Sequence, residues 1–491
     1  MEEQGLLADI REHPDDASLR RIYADWLDDH GDAARAEFIR VQLDLAALGE
    51  WDDARPALEK RQAQLLREHE QRWLTGLPPG LSFDFRGGMV ESVSGPADRF
   101  FEEAAPLSAY PLREVWLERP MPDRVHRSPS GLALLDRLNS CSLRLRLSGS
   151  ELASLLEDCS FRALREFWLL VDDFPESLYA PLTEHPLARR LERLTLEPID
   201  PGFTSLEPLR AWPEANPLRS FRLTGFQETP AETFQCLIQF PALRCLEELD
   251  LEVGYTPGIL ILQALRSAPF LPRLRRLHLH AMNLMEEEAL LRNLPFRDLR
   301  HLSFESVVIE SVQVGWLPRL PCFAALESLE LFGISSSVRY DAFLTTTAPR
   351  LTRCELGLPE DPDAARVLAR WGAWPSVRSL TLHGVRIPAL ICFLQEAPLE
   401  NLRDLRLSTC NLTEFVDFLV RWPGFARLWR FNVDFGSLSD AAARVLLDAL
   451  PPFIEFIVLN CRSKLSADTL AALRALEASE QFSILNIHDL K

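Results

Sequence analysis

From Leu112 onward, one six-residue phrase returns about every 26 residues: apolar, two variable, apolar, one variable, apolar. It reads LERLTL at 191–196, LEELDL at 246–251, LRRLHL at 274–279, LESLEL at 326–331 and LRDLRL at 402–407. The fourth residue of each phrase serves as its anchor. The anchors are Val115, Leu145, Phe167, Leu194, Phe221, Leu249, Leu277, Leu302, Leu329, Cys354, Leu380, Leu405, Phe431, Ile457 and Leu485. Alternation at the end of the phrase predicts a strand with apolar side chains on one face. The roughly twenty residues between phrases suffice for a crossover to a parallel neighbour. Such a chain grows by stacking, so 491 residues do not require several separate cores.

The intervening segments predict helices at 230–240, 437–450 and 466–479, and shorter proline-marked turns such as LEPIDPGF at 196–203. Most of the 35 prolines fall in these returns, where a missing ladder donor costs nothing. Residues 1–79 have a different, helical spacing. Leu19, Ile22, Tyr23, Trp26 and Leu27 follow the i, i+3, i+4, i+7 rule and predict one buried helix face. Asp15 or Asp16 can cap this helix and Gly31 can end it. Further helices are expected over 34–48, burying Phe38, Leu43 and Leu45, and over 55–74, with Leu58, Leu65, Leu66 and Trp73. Between the two regions, LPPGLSFDFRGGMVESVSG at 77–95 predicts a β-hairpin turning at Gly87-Gly88 and covering the first repeat.

The run IYADWLDDHGDAARAEFIRVQLDL (22–45), followed by RQAQLLREHEQRWL (61–74), resembles the bacterial repeat-companion domain. The array behind it resembles the ribonuclease-inhibitor-like class of leucine-rich repeats. Together these resemblances imply an α/β chain: a small all-α domain at 1–79, a hairpin cap at 80–110, and a leucine-rich-repeat solenoid of about 15 repeats over 111–491. Neither resemblance brings a catalytic residue. The family usually places Asn or Cys at the ninth position of the phrase. Here that slot holds Ile199, Phe226, Met282, Val307, Ile334 and Val385, with Cys410 conforming. Irregular curvature and strands as short as three residues are therefore expected, and FSILNIHDLK at the C-terminus reads as a strand without a distinct cap.

The formal charge of −19 repels phosphate backbones, which argues against nucleic acid as a partner. Nine scattered cysteines offer no CxxC pair, so neither a disulfide framework nor a zinc ribbon is indicated. Cys159, in LEDCSF, reads as a filler because no basic activator adjoins it. No apolar run approaches a membrane span, and the acidic start MEEQGLLADIREH is not a secretory signal, so a cytoplasmic location is expected. Phosphate-loop, nucleophile-elbow and zinc-protease motifs do not occur. The chain is read as a non-enzyme with no cofactor.

If the apolar residues enter the core, the variable ones line the concave sheet. Two groups stand out there. Trp116 and Trp168 flank Arg144 and Arg146, with Glu114, Glu118 and Glu166 nearby. Tryptophan beside arginine is the composition of binding hot spots, although the same residues can cover one another as ion pairs and a cation–π stack. The second group is Glu248, Asp250 and Glu252, then Arg276, His278 and His280, then His301 and Glu305. Its histidines and acids could hold a metal, but no dedicated spacing supports this, Arg276 would oppose a cation, and a solvated striped face explains them as well. Trp116, Arg144, Arg146, Trp168, Asp250, His278, His280 and His301 are thus the candidate partner-binding residues. The expected function is a monomeric scaffold gripping an unidentified protein partner. The alternative is a self-assembling component that uses the helical domain or the C-terminal edge.

Overall fold

The computed structural model describes residues 3–118, 127–144, 149–171, 176–198, 211–213, 218–224, 240–252, 258–280, 293–309, 314–334, 340–408, 410–451, 454, 456–461 and 465–478. They fall into two compact units, Met1–Leu246 and Glu247–Lys491.

The first unit begins with four helices: α1 (Glu3–Glu12), α2 (Ala17–Asp29), α3 (Ala33–Ala47) and α4 (Arg55–Trp73). The last three match the expected helices, and α1 precedes them. Asp16 caps α2 by accepting from the Ser18 backbone N–H at 2.8 Å, and Gly31 takes a left-handed φ of +87° just beyond its end. Ile22 departs from expectation, being 46% exposed. The buried stripe of α2 runs through Arg20, Tyr23, Ala24 and Leu27, so it begins at an arginine that an apolar count passes over.

Strands β1 (Ser82–Arg86) and β2 (Met89–Pro96) form the antiparallel hairpin. Its turn, Gly87-Gly88, has φ of +53° and +79° and lies hard against the helices. A Cβ at Gly88 would stand 2.2 Å from Ile39 Cγ1 and 2.7 Å from Ile39 Cα, so both conformation and space demand glycine. The helices pack on one another through Leu6, Ile10, Tyr23, Leu27, Ile39 and Leu43, and the hairpin adds to that interior. Met89 packs with Leu6, Ile10, Tyr23 and Ile39, and Phe85 joins Phe38 and Trp73 around the Arg35 guanidinium. Gln42 completes the joint, donating to Phe85 O at 3.2 Å and accepting from Gly88 N–H at 2.6 Å. Arg20 is the deepest polar tie. It donates to the carbonyls of Pro14, Arg86 and Gly87 and pairs with the buried Glu91.

Parallel strands continue from β2 in chain order: β3 (Glu114–Glu118), β4 (Ser140–Arg144), β5 (Glu166–Val171), β6 (Arg193–Pro198) and β7 (Ser220–Leu223). Their anchors pair as Val93, Val115, Cys141, Phe167, Leu194 and Phe221. The anchor of β4 is therefore Cys141 and not Leu145. Alternating leucines at 143, 145 and 147 permit either placement, but only Cys141 lies 26 residues from both Val115 and Phe167.

The second unit repeats the arrangement over β8 (Glu248–Glu252), β9 (Arg276–His280), β10 (His301–Ile309), β11 (Ser328–Ile334), β12 (Arg353–Gly357), β13 (Ser379–His383), β14 (Asp404–Ser408), β15 (Arg430–Gly436) and β16 (Phe456–Cys461). Here every expected anchor from Leu249 to Ile457 is in register. The returns expected at 437–450 and 466–479 are the helices Asp440–Asp448 and Ala467–Ala478. Residues 230–239, Ile199, Phe226, Met282 and the C-terminal segment from 479 lie outside the described residues. The shortest described strand has four residues. At the ninth slot of the phrase, Val385 and Cys410 are both buried, so the slot is filled by apolar packing at 385 and by the expected cysteine at 410.

Within each unit a backbone pattern locks successive repeats together. One carbonyl, at the residue before the strand, accepts two successive N–H groups from the following repeat. Glu247 O receives Arg275 and Arg276, Arg275 O receives Arg300 and His301, and Arg300 O receives Glu327 and Ser328, all within 2.7–3.1 Å. The same device joins Arg113, Asn139, Arg165 and Glu192 to their successors in the first unit. Together with the buried anchors it makes each unit an α/β repeat solenoid with a parallel sheet. Among the described residues, no helix is long and apolar enough to cross a membrane.

Candidate functional site

Along the strands, inward residues are buried and their neighbours are half-exposed, as in β8 and β13. The half-exposed positions carry both groups of candidate residues, one group in each unit.

In the first unit, Trp116 on β3 and Trp168 on β5 lie two strands apart, yet their rings meet edge to face with centroids 5.2 Å apart. Ser142 holds the position between them in the register. This corrects the expectation that Arg146 lies between the tryptophans. Arg144 instead ends β4, paired with Glu118 and Leu170, and Arg146 lies outside the described residues. The Trp168 indole N–H donates to Glu197 at 3.1 Å. Around the pair, Arg86 bonds Glu114 at 2.7 Å and Arg193 contacts Glu166 at 3.0 Å. The result is a half-buried aromatic pair framed by compensated charge, a surface able to desolvate at low cost.

In the second unit, Asp250 pairs in register with His278, while His280 lies between Glu252 and Glu305. The imidazole planes of His278 and His280 stand 3.5 Å apart at their centroids. His280 Nδ1 bonds Glu305 Oε2 at 2.5 Å, and its Nε2 lies 3.4 Å from Asp250 Oδ1. His278 Nδ1 is 3.8 Å from Asp250 Oδ2. Burial alone would depress His280, but the adjacent carboxylates of Asp250 and Glu305 prevail and hold its pKa above the ordinary histidine value. His301 stands apart from this cluster. It opens β10 beside Arg276 and Ser328, and burial, reinforced by Arg276, pushes its pKa down. It lines a charged groove with Glu247, Arg275, Arg300 and Glu327.

A third pair was not anticipated. Phe332 on β11, 42% exposed, meets His383 on β13 edge to face at 4.6 Å. Gly357 lies on the strand between them, repeating the arrangement seen at Trp116, Ser142 and Trp168. His383 also contacts Glu355 at 2.8 Å. The available signal was two aromatic rings at matching positions separated by a strand with a small residue.

The buried thiols are poor nucleophiles. Burial pushes Cys322 up to about 11, and Cys159 and Cys410 up to about 12.

No family profile matches this chain, and no curated protein does. Among the solved structures that resemble it distantly are the following two. A Bacteroides fragilis protein aligns over 55% of this chain and 76% of its own length, at 14% identity and a TM-score of 0.33. A chain of the yeast Rad7 and Elc1 complex aligns over 91% and 92% respectively, at 14% identity and a TM-score of 0.38.

Proposed function

We propose that this is a bacterial leucine-rich-repeat protein of the ribonuclease-inhibitor-like class, with a repeat-companion domain at residues 1–79. In this reading it is a non-catalytic scaffold that holds a protein partner on the half-exposed face of its strands. The observation carrying the proposal is the Trp116–Trp168 pair, two large rings brought together on the half-exposed face of the strands. Rigid aromatic pairs ringed by polar groups are the usual energetic centres of protein interfaces.

The test is capture from the native host by the full chain, quantified against Trp116→Ala and Trp168→Ala. A captured protein should lose about thirtyfold or more in affinity on either substitution, matching a hot-spot loss of about 2 kcal/mol. An unchanged set of captured proteins refutes the role of the pair. A stable dimer by light scattering would instead favour self-assembly.

A further inference from the structure

We propose that Asp250, His278 and His280 form a site for one zinc-class divalent cation, with Glu305 as the residue that positions His280. The inference does not depend on the partner reading above.

The three side chains each offer a ligand atom, and these atoms lie within 4.8 Å of one another. A tetrahedral zinc site with bonds of about 2.0–2.1 Å places neighbouring ligand atoms about 3.3–3.4 Å apart. The His280 Nε2 to Asp250 Oδ1 separation is 3.4 Å, and His278 Nδ1 is 3.8 Å from the same carboxylate. Small side-chain movements would therefore close the shell. The contact between Nε2 and Oδ1 is an ion-pair distance without hydrogen-bond alignment, and Nε2 is buried.

The strongest support comes from the other ring nitrogen. His280 Nδ1 meets Glu305 Oε2 at 2.5 Å. A metal-bound histidine characteristically donates its second N–H to a carboxylate, which sets the tautomer and aims the free nitrogen at the ion. Here Glu305 fixes the proton on Nδ1 and leaves Nε2 as the ligand, facing Asp250. Arg276 lies two residues upstream on the same face, but Glu248, Asp250 and Glu252 on β8 and Glu305 on β10 flank β9 with carboxylates. Two imidazoles and a carboxylate are borderline donors, suited to zinc more than to calcium or magnesium. Three protein ligands leave a fourth position open for water or an incoming carboxylate.

The test uses the full chain stripped with a chelator, titrated with zinc alone by calorimetry and with cobalt(II) by visible absorption. One ion per chain should bind with a Kd of about 1 µM or tighter. His280→Gln and Asp250→Asn preserve size and polarity and should each weaken binding at least about tenfold, and Glu305→Gln about 10–100-fold. Circular dichroism of each variant should match that of the unsubstituted chain. Failure to bind zinc stoichiometrically overturns the proposal, as does binding unchanged in both His280→Gln and Asp250→Asn. Unchanged affinity in Glu305→Gln overturns the positioning role.

Discussion

Replacing Arg20 with methionine isolates a tie between helix and hairpin that side-chain volume alone does not supply. The Arg20 and Glu91 side chains are 5% and 2% exposed, so removing the guanidinium strands a carboxylate in the interior. Breaking a buried pair on one side costs about 3–5 kcal/mol. Three carbonyls, those of Pro14, Arg86 and Gly87, lose a donor as well. The loss should appear as local opening of α2 and the hairpin. Hydrogen exchange of peptides from 17–29 and 82–96 should lose about two to four decades of protection, at 1.36 kcal/mol per decade. The pH dependence separates the charge from the packing. Burial already holds the Glu91 carboxyl above its ordinary value against the pull of Arg20, and without Arg20 it rises further. A group raised in the folded state favours folding below its unfolded pKa, and that gain is lost as pH climbs through the folded value. The deficit of Arg20→Met should therefore be smaller at about pH 5 than at about pH 8. Adding Glu91→Leu should remove this pH dependence while restoring only part of the stability, because the carbonyls still lack their donor. A loss below about 1 kcal/mol, or one identical at both pH values, refutes the reasoning.

Gly88→Ala should destabilise the same region by at least about 2 kcal/mol, read by exchange in 82–96, because the new methyl collides with Ile39 at a positive φ. Phe343→Ala should cost about 3–5 kcal/mol in urea unfolding, since its ring packs on Phe323, Tyr340 and Trp371. Trp116→Ala should lower stability by no more than about 0.5–1.5 kcal/mol, the worth of an aromatic pair, while weakening partner capture about thirtyfold or more. A thiol reagent at neutral pH should modify the exposed Cys245 promptly and reach Cys159, Cys322 and Cys410 only on unfolding.

The strands were legible because two periods coincide in them: alternation within the phrase and recurrence between phrases. Where the two conflicted, at SLRLRLSG, alternation alone misplaced the anchor by four residues, while the 26-residue recurrence identifies Cys141. The Arg20–Glu91 pair could not be read, since its partners are 71 residues apart and neither lies in an apolar pattern that marks it as interior. The histidine cluster was legible as a set of positions but not as a geometry. Register brought Asp250 beside His278, whereas the direction of the His280 ring depends on Glu305, on the neighbouring strand. The Phe332–His383 contact escaped for a related reason, as two rings meet only if the strand between them carries almost no side chain.

The two-for-one carbonyl at each strand entry has a consequence for how such an array can lengthen or shorten. Thr352 O accepts the N–H groups of Arg378 and Ser379, and Arg378 O accepts those of Arg403 and Asp404. Neither bond depends on which side chain precedes the strand. Excising 378–402 as a block would present Arg403 and Asp404 to Thr352 in the same geometry, with Leu405 meeting Cys354 in place of Leu380. Losing a single residue from the same stretch would turn an inward leucine out to solvent. Whole-period editing is thus cheap for this backbone, and fractional editing is not.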